Sequence, residues 1–316
     1  MALPTVQELD RLRNRPYRTP DTRMEAFDYE VAVCCFCGPH EKEVMHSDSG
    51  YHIVRCTGCG LVYTTPRIVA GQLEALYQDA YWRSPSPKHC GYAHYIGDEA
   101  CWFATYRRRF QHIAARMSPG LALDVGCAAG FWTCVLREAG WEAYGVDISA
   151  PMIEYARRTF SQDAYYCGCL RDQGFASEQF DLVTLWDVIE HVRDPHRLLR
   201  EVNRVLRPGG LLVMETQNVD SLSARWLGKR WHHFKHIEHL YHFSVSTLGK
   251  LLDQTGFSVE EFTRRHAGKH VTLAFIAERS GRVHPWLEKG LGFLKHNRAS
   301  LYVNPLDEII VIAWKQ

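Results

Sequence analysis

From residue 121 onward the apolar positions alternate between two rhythms. Short runs of β-branched and large apolar side chains occur at 121–125, 142–147, 163–167, 180–186 and 210–216. Between them, stretches such as 130–139, 151–160 and 194–206 repeat their apolar positions at helical spacing. Alternation of this kind predicts a parallel sheet covered by helices on both faces. Two later runs, 258–264 and 308–314, predict further strands, each at an edge of that sheet. Upstream, Phe103, Tyr106, Phe110, Ile113, Ala114 and Met117 keep a helical period from Asp98 to Met117, and Pro119-Gly120 ends it. Residues 31–66 are Gly- and Cys-rich and β-like only around Tyr51-His52-Ile53-Val54 and Leu61-Val62-Tyr63. Thr5-Val6-Gln7-Glu8 has the form of a capping box, so a short helix is predicted to about Asn14, ahead of Pro16. Pro85 and Pro87 mark a loop, and Ser244 or Ser246 is the predicted cap of a helix over 247–254. No internal repeat interrupts the pattern.

A chain of 316 residues suggests about two domains. The pattern divides it into an N-terminal arm (1–30), a Cys-rich module (31–85) and an α/β domain (86–316). The 37 basic and 36 acidic side chains leave a net charge of +1, which argues against nucleic acid or an anionic membrane as the main partner. Met1 to Arg15 has no apolar core of a signal peptide, and Ile309 to Trp314 is far too short to span a bilayer. These readings predict a soluble cytoplasmic protein, monomeric or homodimeric. In a reducing cytoplasm its eleven cysteines serve as metal ligands or buried thiols.

Two Cys-x-x-Cys-Gly knuckles, Cys34/Cys37 and Cys56/Cys59, have the spacing of a four-cysteine zinc ribbon. Each turn brings two thiolates to one tetrahedral ion, and Gly38 and Gly60 give the backbone the conformation knuckles need. Four sulfur ligands leave no open position, so the expected zinc is structural. The competing readings are free buried thiols or a redox pair, and neither Cys-x-x-Cys opens a helix as redox pairs do.

Leu121-Ala122-Leu123-Asp124-Val125-Gly126-Cys127-Ala128-Ala129-Gly130 reads as strand, tight turn and helix start, the geometry of a cofactor site at the carboxyl edge of a parallel sheet. A dinucleotide fingerprint needs a second glycine where Ala128 stands. Asp124, before the turn, suits a cationic ligand better than a phosphate. Asp147 ends the next strand, where a carboxylate accepts hydrogen bonds from ribose hydroxyls. A ribose, a positive centre and no phosphate describe S-adenosylmethionine.

With these motifs the chain resembles the class I S-adenosylmethionine-dependent methyltransferases over roughly residues 92–316. Phe180 to Val192 looks like that family's fourth strand and following loop, and Arg204 to Gly210 like the turn before its fifth. Some bacterial members that modify sugars or natural products carry a similar four-cysteine module, followed by aromatics like Tyr81-Trp82 and Gly91-Tyr92-x-x-Tyr95. The resemblance implies a seven-stranded Rossmann-like sheet, mostly parallel with its last strand antiparallel, plus a small N-terminal zinc ribbon. It implies that Asp124, Gly126, Cys127 and Gly130 hold the methionine and sulfonium side, with Asp187 near them. It further implies that Asp147 holds the ribose and that Ile148 packs on the adenine. After the third strand, Gly168-Cys169-Leu170 departs from the family's usual polar residue, which leaves Leu170, backbone or Asp172 to face the adenine. A tyrosine such as Tyr95 packed near the cofactor is physically favourable.

If the acceptor is a hydroxyl, a base must take its proton. His191 lies just past the fourth strand, with Asp187 and Glu190 near it, and reads as base, positioning group or loop spacer. The stretch Trp231 to Ser244 holds His232, His233, His236, His239 and His242, in an expected acceptor-pocket insert (217–246). His232/His236 and His236/His239 would each share a helical face and so could bind a metal. The preferred reading makes His239 a pocket-lining base and the others peripheral. The leading expectation is O-methylation of a sugar-like or natural-product small molecule. C-methylation of an activated keto-sugar and methylation of an RNA or protein bound by the zinc module are the alternatives. Against the last, the ribbon carries few basic groups besides Lys42 and Arg55.

Overall fold

The structure, a computed structural model, describes residues 27–48, 50–84, 90–92, 94–283 and 285–316. The capping box at residues 5–8 and the prolines at 85 and 87 lie outside them. In chain order the strands are β1 (Tyr29–Glu30), β2 (Lys42–Asp48), β3 (Tyr51–Cys56), β4 (Val62–Thr65), β5 (Arg67–Ile68), β6 (Leu121–Val125), β7 (Glu142–Asp147) and β8 (Tyr165–Cys167). They continue with β9 (Phe180–Trp186), β10 (Leu206–Gln217), β11 (Tyr241–His242), β12 (Phe257–Thr263), β13 (Lys269–Thr272), β14 (Ser300–Val303) and β15 (Glu308–Lys315). The main helices are α1 (Glu99–Ala114), α2 (Phe131–Glu138), α3 (Ala150–Thr159), α4 (Pro195–Val205), α5 (Leu222–Leu227), α6 (Val245–Asp253) and α7 (Leu273–Val283).

Seven strands form the central sheet in the order β12-β15-β10-β9-β6-β7-β8, parallel except for β15. Its central strands read as unbroken apolar runs because both faces are buried. Val183, Leu185 and Val311 point into one core, with Leu199 and Val202 of α4 and Leu248 and Leu251 of α6. Their neighbours Leu182, Trp186 and Ile310 point into the other, with Ile113 of α1, Trp132 of α2 and Met152 of α3. From β6 the chain winds outward through β7 and β8, then returns to β9 on the other side of β6. That reversal opens a crevice at the carboxyl ends of β6 and β9, where ligands of such sheets bind.

Three of the departures from the sequence pattern shape the sheets. β15 is internal, paired with β10 on one side and β12 on the other, so only β12 forms that edge. β10 begins at Leu206 and absorbs the Arg207-Pro208-Gly209-Gly210 turn as a bulge, its register shifting between Leu206 and Leu211 while Gly209 takes φ +67°. Polar β2 was not expected, and it forms because β3 offers it a ladder.

A second sheet, β11-β4-β3-β2, joins the Cys-rich module to the expected acceptor insert. Tyr241 pairs with Tyr63 and His242 with Val62. The module's Cys34, Cys56, Leu61 and Tyr63 belong to the same apolar core as Leu240, Phe243 and Leu248. Ser244 caps α6, exchanging hydrogen bonds with Thr247, which settles the choice between Ser244 and Ser246. Among the described residues no helix is long and apolar enough to cross a membrane.

Candidate active site

The glycine turn is fixed by what packs against it. Gly126 takes φ +77°, and a Cβ there would press into Val188. Its N–H and that of Cys127 donate to the carbonyl of Val146 (2.8 and 3.2 Å), tying the turn to β7. Gly130 takes φ +80°, where a Cβ would lie 2.7 Å from the ring of Tyr165. Asp147, ending β7, accepts from the Ala128 N–H (2.9 Å) and the Ser149 N–H (2.7 Å). Burial raises its pKa, and those two bonds oppose the rise. Each oxygen keeps further acceptor capacity for ribose hydroxyls.

Asp124 is buried at the end of β6 and accepts from the Thr184 hydroxyl (2.7 Å), which accepts from the Trp132 indole N–H (2.9 Å). Burial pushes its carboxyl well above the ordinary range. The Cys127 side chain packs among Ile153, Ala156, Ala164 and Tyr165, so it is a core thiol and the turn offers only its backbone. Leu170 is likewise core, 4% exposed beneath the sheet edge. Ile148 is partly buried against the aromatic core, whereas Asp172 is exposed beside Arg171.

Tyr95 sits in an aromatic cluster with ring centroids 4.8 Å from Trp82, 4.9 Å from Trp102 and 5.0 Å from Tyr92. The Trp82 indole donates to the Ser149 hydroxyl (2.8 Å), which fastens this cluster to the loop after Asp147. Tyr92, Tyr95 and Trp102 form one wall of a cavity of about 690 Å³ that Asp187, Glu190, His191, His239 and Lys269 also line.

His191 Nδ1 lies 2.9 Å from the Glu238 carbonyl and 3.1 Å from the Tyr77 hydroxyl, and His239 Nδ1 lies 2.8 Å from the His233 carbonyl. A carbonyl only accepts, so each Nδ1 carries the proton and each Nε2 keeps its lone pair. The rings are 4.8 Å apart at a right angle. Burial lowers both pKa values, that of His239 strongly, which keeps both imidazoles neutral. Glu190 completes the wall, accepting from the Thr216 hydroxyl (2.9 Å), with its pKa raised by burial and by Asp187. One ring nitrogen of each histidine and one Glu190 oxygen lie within 4.8 Å of one another. The Cys-rich module positions this wall. The Thr64 hydroxyl donates to the His239 carbonyl (2.8 Å), and its N–H to the Leu240 carbonyl (3.0 Å).

Asp187 takes φ +54° and bonds Lys269 Nζ (2.7 Å), which also reaches Glu308 (2.6 Å). Beneath them Arg109 pairs with Glu215 at 2.5 Å, both essentially inaccessible. Burial would raise the Asp187 pKa, but Lys269 and Arg109 outweigh it and hold the carboxyl low. Arg109, Lys269, Glu215 and Glu308 carry no spacing signal in the sequence, since four separate elements bring them together. Tyr165 and Thr184 read there only as ordinary strand residues.

Residues 231–240 form turns rather than a helix, so neither expected helical pair of histidines exists. His236 instead lies against the Tyr51 ring, at 5.9 Å. His242 is fully buried, 3.3 Å from the Thr64 hydroxyl, and burial drives its pKa down to about 3. Its folded value lies below the unfolded value of roughly 6.5, so the unfolded state binds the extra proton and stability falls as pH drops below that value. At pH 5 this one residue is expected to cost about 2 kcal/mol. Urea melts from pH 7 to 5 check this, and His242→Gln should remove that share of the dependence.

At the module, one Sγ each from Cys34, Cys37, Cys56 and Cys59 lies within 4.8 Å of the others, Cys34 and Cys59 being 3.4 Å apart. Thiolates about 2.3 Å from one tetrahedral ion stand about 3.8 Å from each other, so the four fit a zinc ion. Gly38 (φ +65°) and Gly60 (φ +77°) donate to the carbonyls of Cys34 and Cys56, each at 2.9 Å, closing both knuckles. Cys35 stands outside the four, its thiol pushed up to about 12, chiefly by burial.

A family model described as a methyltransferase domain matches residues 92–261, just over half the chain. The chain is 25% identical over 167 residues to a probable S-adenosylmethionine-dependent methyltransferase of Mycolicibacterium smegmatis, covering 52% of this chain and 63% of that one. It is 31% identical over 147 residues to a ubiquinone biosynthesis O-methyltransferase of Xanthomonas axonopodis pv. citri, covering 40% and 61%. The matches thus span less than two thirds of these relatives' length. Among solved structures, a Thermotoga maritima S-adenosylmethionine-dependent methyltransferase, described as a possible histamine N-methyltransferase, aligns over 70% of this chain and 97% of its own. Its TM-score is 0.45 at 21% identity.

Proposed function

Since this chain belongs to the methyltransferase-domain family, we propose that it moves a methyl group from S-adenosylmethionine to a hydroxyl of a small sugar-like or natural-product acceptor. The carrying observation is the pair of neutral imidazoles, His191 and His239, whose Nδ1 atoms are held by backbone carbonyls, leaving Nε2 as the basic nitrogen of each in the cavity wall. A neutral imidazole within reach of a hydroxyl is the commonest general base. Asp147 and the Gly126–Gly130 turn would hold the ribose and methionine parts, while Asp187 and the Tyr95 cluster border the charged end. When bound, S-adenosylmethionine supplies a methyl group on an electrophilic sulfonium centre. His239 Nε2 takes the acceptor proton, and His191 holds the same hydroxyl in line. The aromatic wall excludes water, and positioning supplies much of the rate.

The four cysteines complete the proposal as a structural zinc site. Their role is to keep β4 in place under His239, and zinc takes no part in the reaction.

Calorimetric titration tests the cofactor assignment. Asp147→Ala should weaken S-adenosylmethionine binding roughly 10–100-fold, because bonds to an ionised acceptor contribute about 1.5–3 kcal/mol each. Mass spectrometry of candidate acceptors should show one added methyl on oxygen. Unchanged affinity in the variant would remove Asp147 from the site, and a methyl found on carbon would replace O-methylation.

A further inference from the structure

We infer that His232, His233 and Asp307 form a binding site for a divalent transition-metal cation, separate from the four cysteines and taking no part in the proposed methyl-transfer step itself. One ligand atom from each lies within 4.8 Å of the others. His233 Nε2 is 3.7 Å and His232 Nδ1 is 3.8 Å from Asp307 Oδ2, and Glu308 Oε1 is also 3.7 Å from His233 Nε2. These gaps are too long for hydrogen bonds. They come close to the roughly 3.4 Å edge between two ligands that each stand about 2.1 Å from one tetrahedral ion.

Burial makes the gaps informative. Asp307 is 1% exposed and His233 8%. His233 Nε2 has no hydrogen-bond partner, although buried polar atoms nearly always find one. The Trp231 indole N–H donates to Asp307 Oδ2 at 2.8 Å, the outer-shell contact that orients a ligating carboxylate. Imidazole and carboxylate donors favour zinc or cobalt over calcium or magnesium.

Location gives the ion its role. The Asp307 carbonyl accepts from the Asn218 N–H at 2.7 Å, and Leu306 beside it takes φ +61°. A cation here ties two separate segments, the His232–His233 turn and the entry to β15, and the second is already bonded to the end of β10 through Asn218. All three ligands line the cavity next to His239, so the ion braces the acceptor wall and leaves the glycine turn untouched.

The test is a Co²⁺ titration of zinc-loaded, full-length protein, read by visible absorption and calorimetry. Wild type should take up one further equivalent per chain, with weak ligand-field bands and no intense thiolate charge-transfer band. His233→Ala should abolish uptake. His232→Ala, at a partly exposed position that spares the fold, should weaken it at least roughly 10–100-fold, the loss typical of removing even an outer-shell partner. His236→Ala should bind like wild type. No saturable uptake by the zinc-loaded protein would overturn the site. Uptake that survives His233→Ala but is lost in His239→Ala would place the ion at Glu190, His191 and His239, and so overturn it too. Neither result bears on the methyltransferase reading, which the Asp147→Ala titration tests separately.

Discussion

Serine at Cys34 is expected to release the zinc proposed at the knuckles and to remove most methylation of the acceptor, while S-adenosylmethionine still binds with nearly native affinity. The reasoning runs through the second sheet. Zinc binding to such four-ligand modules supplies on the order of 10 kcal/mol, and much of that is folding free energy. Cys34 is 2% exposed and lies in the core that Tyr63, Leu240 and Phe243 share, so losing the metal loosens β3 and β4. β4 holds β11, and Thr64 holds the backbone at His239 and Leu240. The Leu240 N–H in turn donates to the Glu190 carbonyl at 2.8 Å. A loosened module therefore moves the candidate base, while the glycine turn and Asp147 sit on β6 and β7, strands of the other sheet. Metal content by mass spectrometry, hydrogen exchange at 51–65 and 239–242, and separate binding and turnover assays read this out. A metal-free variant with full turnover would show that the module does not position the acceptor wall.

Alanine at His239 should lower kcat by roughly 10²–10⁴-fold, the range for removing a positioned general base. His191→Ala should cost less and raise KM for the acceptor, because it only holds the hydroxyl. The pH profile separates a base from a structural histidine. Burial keeps the His239 pKa far below the ordinary histidine value, so wild-type turnover should stay flat on acidification through about pH 6.5, where a solvated histidine would titrate. If His239→Ala keeps wild-type kcat, the proton goes elsewhere.

Much of the sheet was legible because burial on both faces leaves a strong trace. The runs at 121–125, 142–147 and 180–186 match β6, β7 and β9 residue for residue. The glycine turn was legible because Gly126 and Gly130 answer a local demand, positive φ with no room for a side chain. The knuckle spacing was legible for the same reason, each half being a five-residue turn. Cys127 and Leu170 show the limit, since the sequence placed them beside a ligand and cannot say which way a side chain turns.

By itself the sequence determined the strand–helix order, the turn, the carboxylate at Asp147 and the four cysteines, all properties of neighbours along the chain. Only the tertiary structure decided that β11 completes the module's sheet, that Thr64 holds His239, and that Lys269 and Arg109 set the charge of Asp187. It also decided that Asp307 meets His232 and His233. Those partners lie some 70 to 180 positions apart. Their meeting follows from how whole elements bury their apolar faces, which no local spacing records.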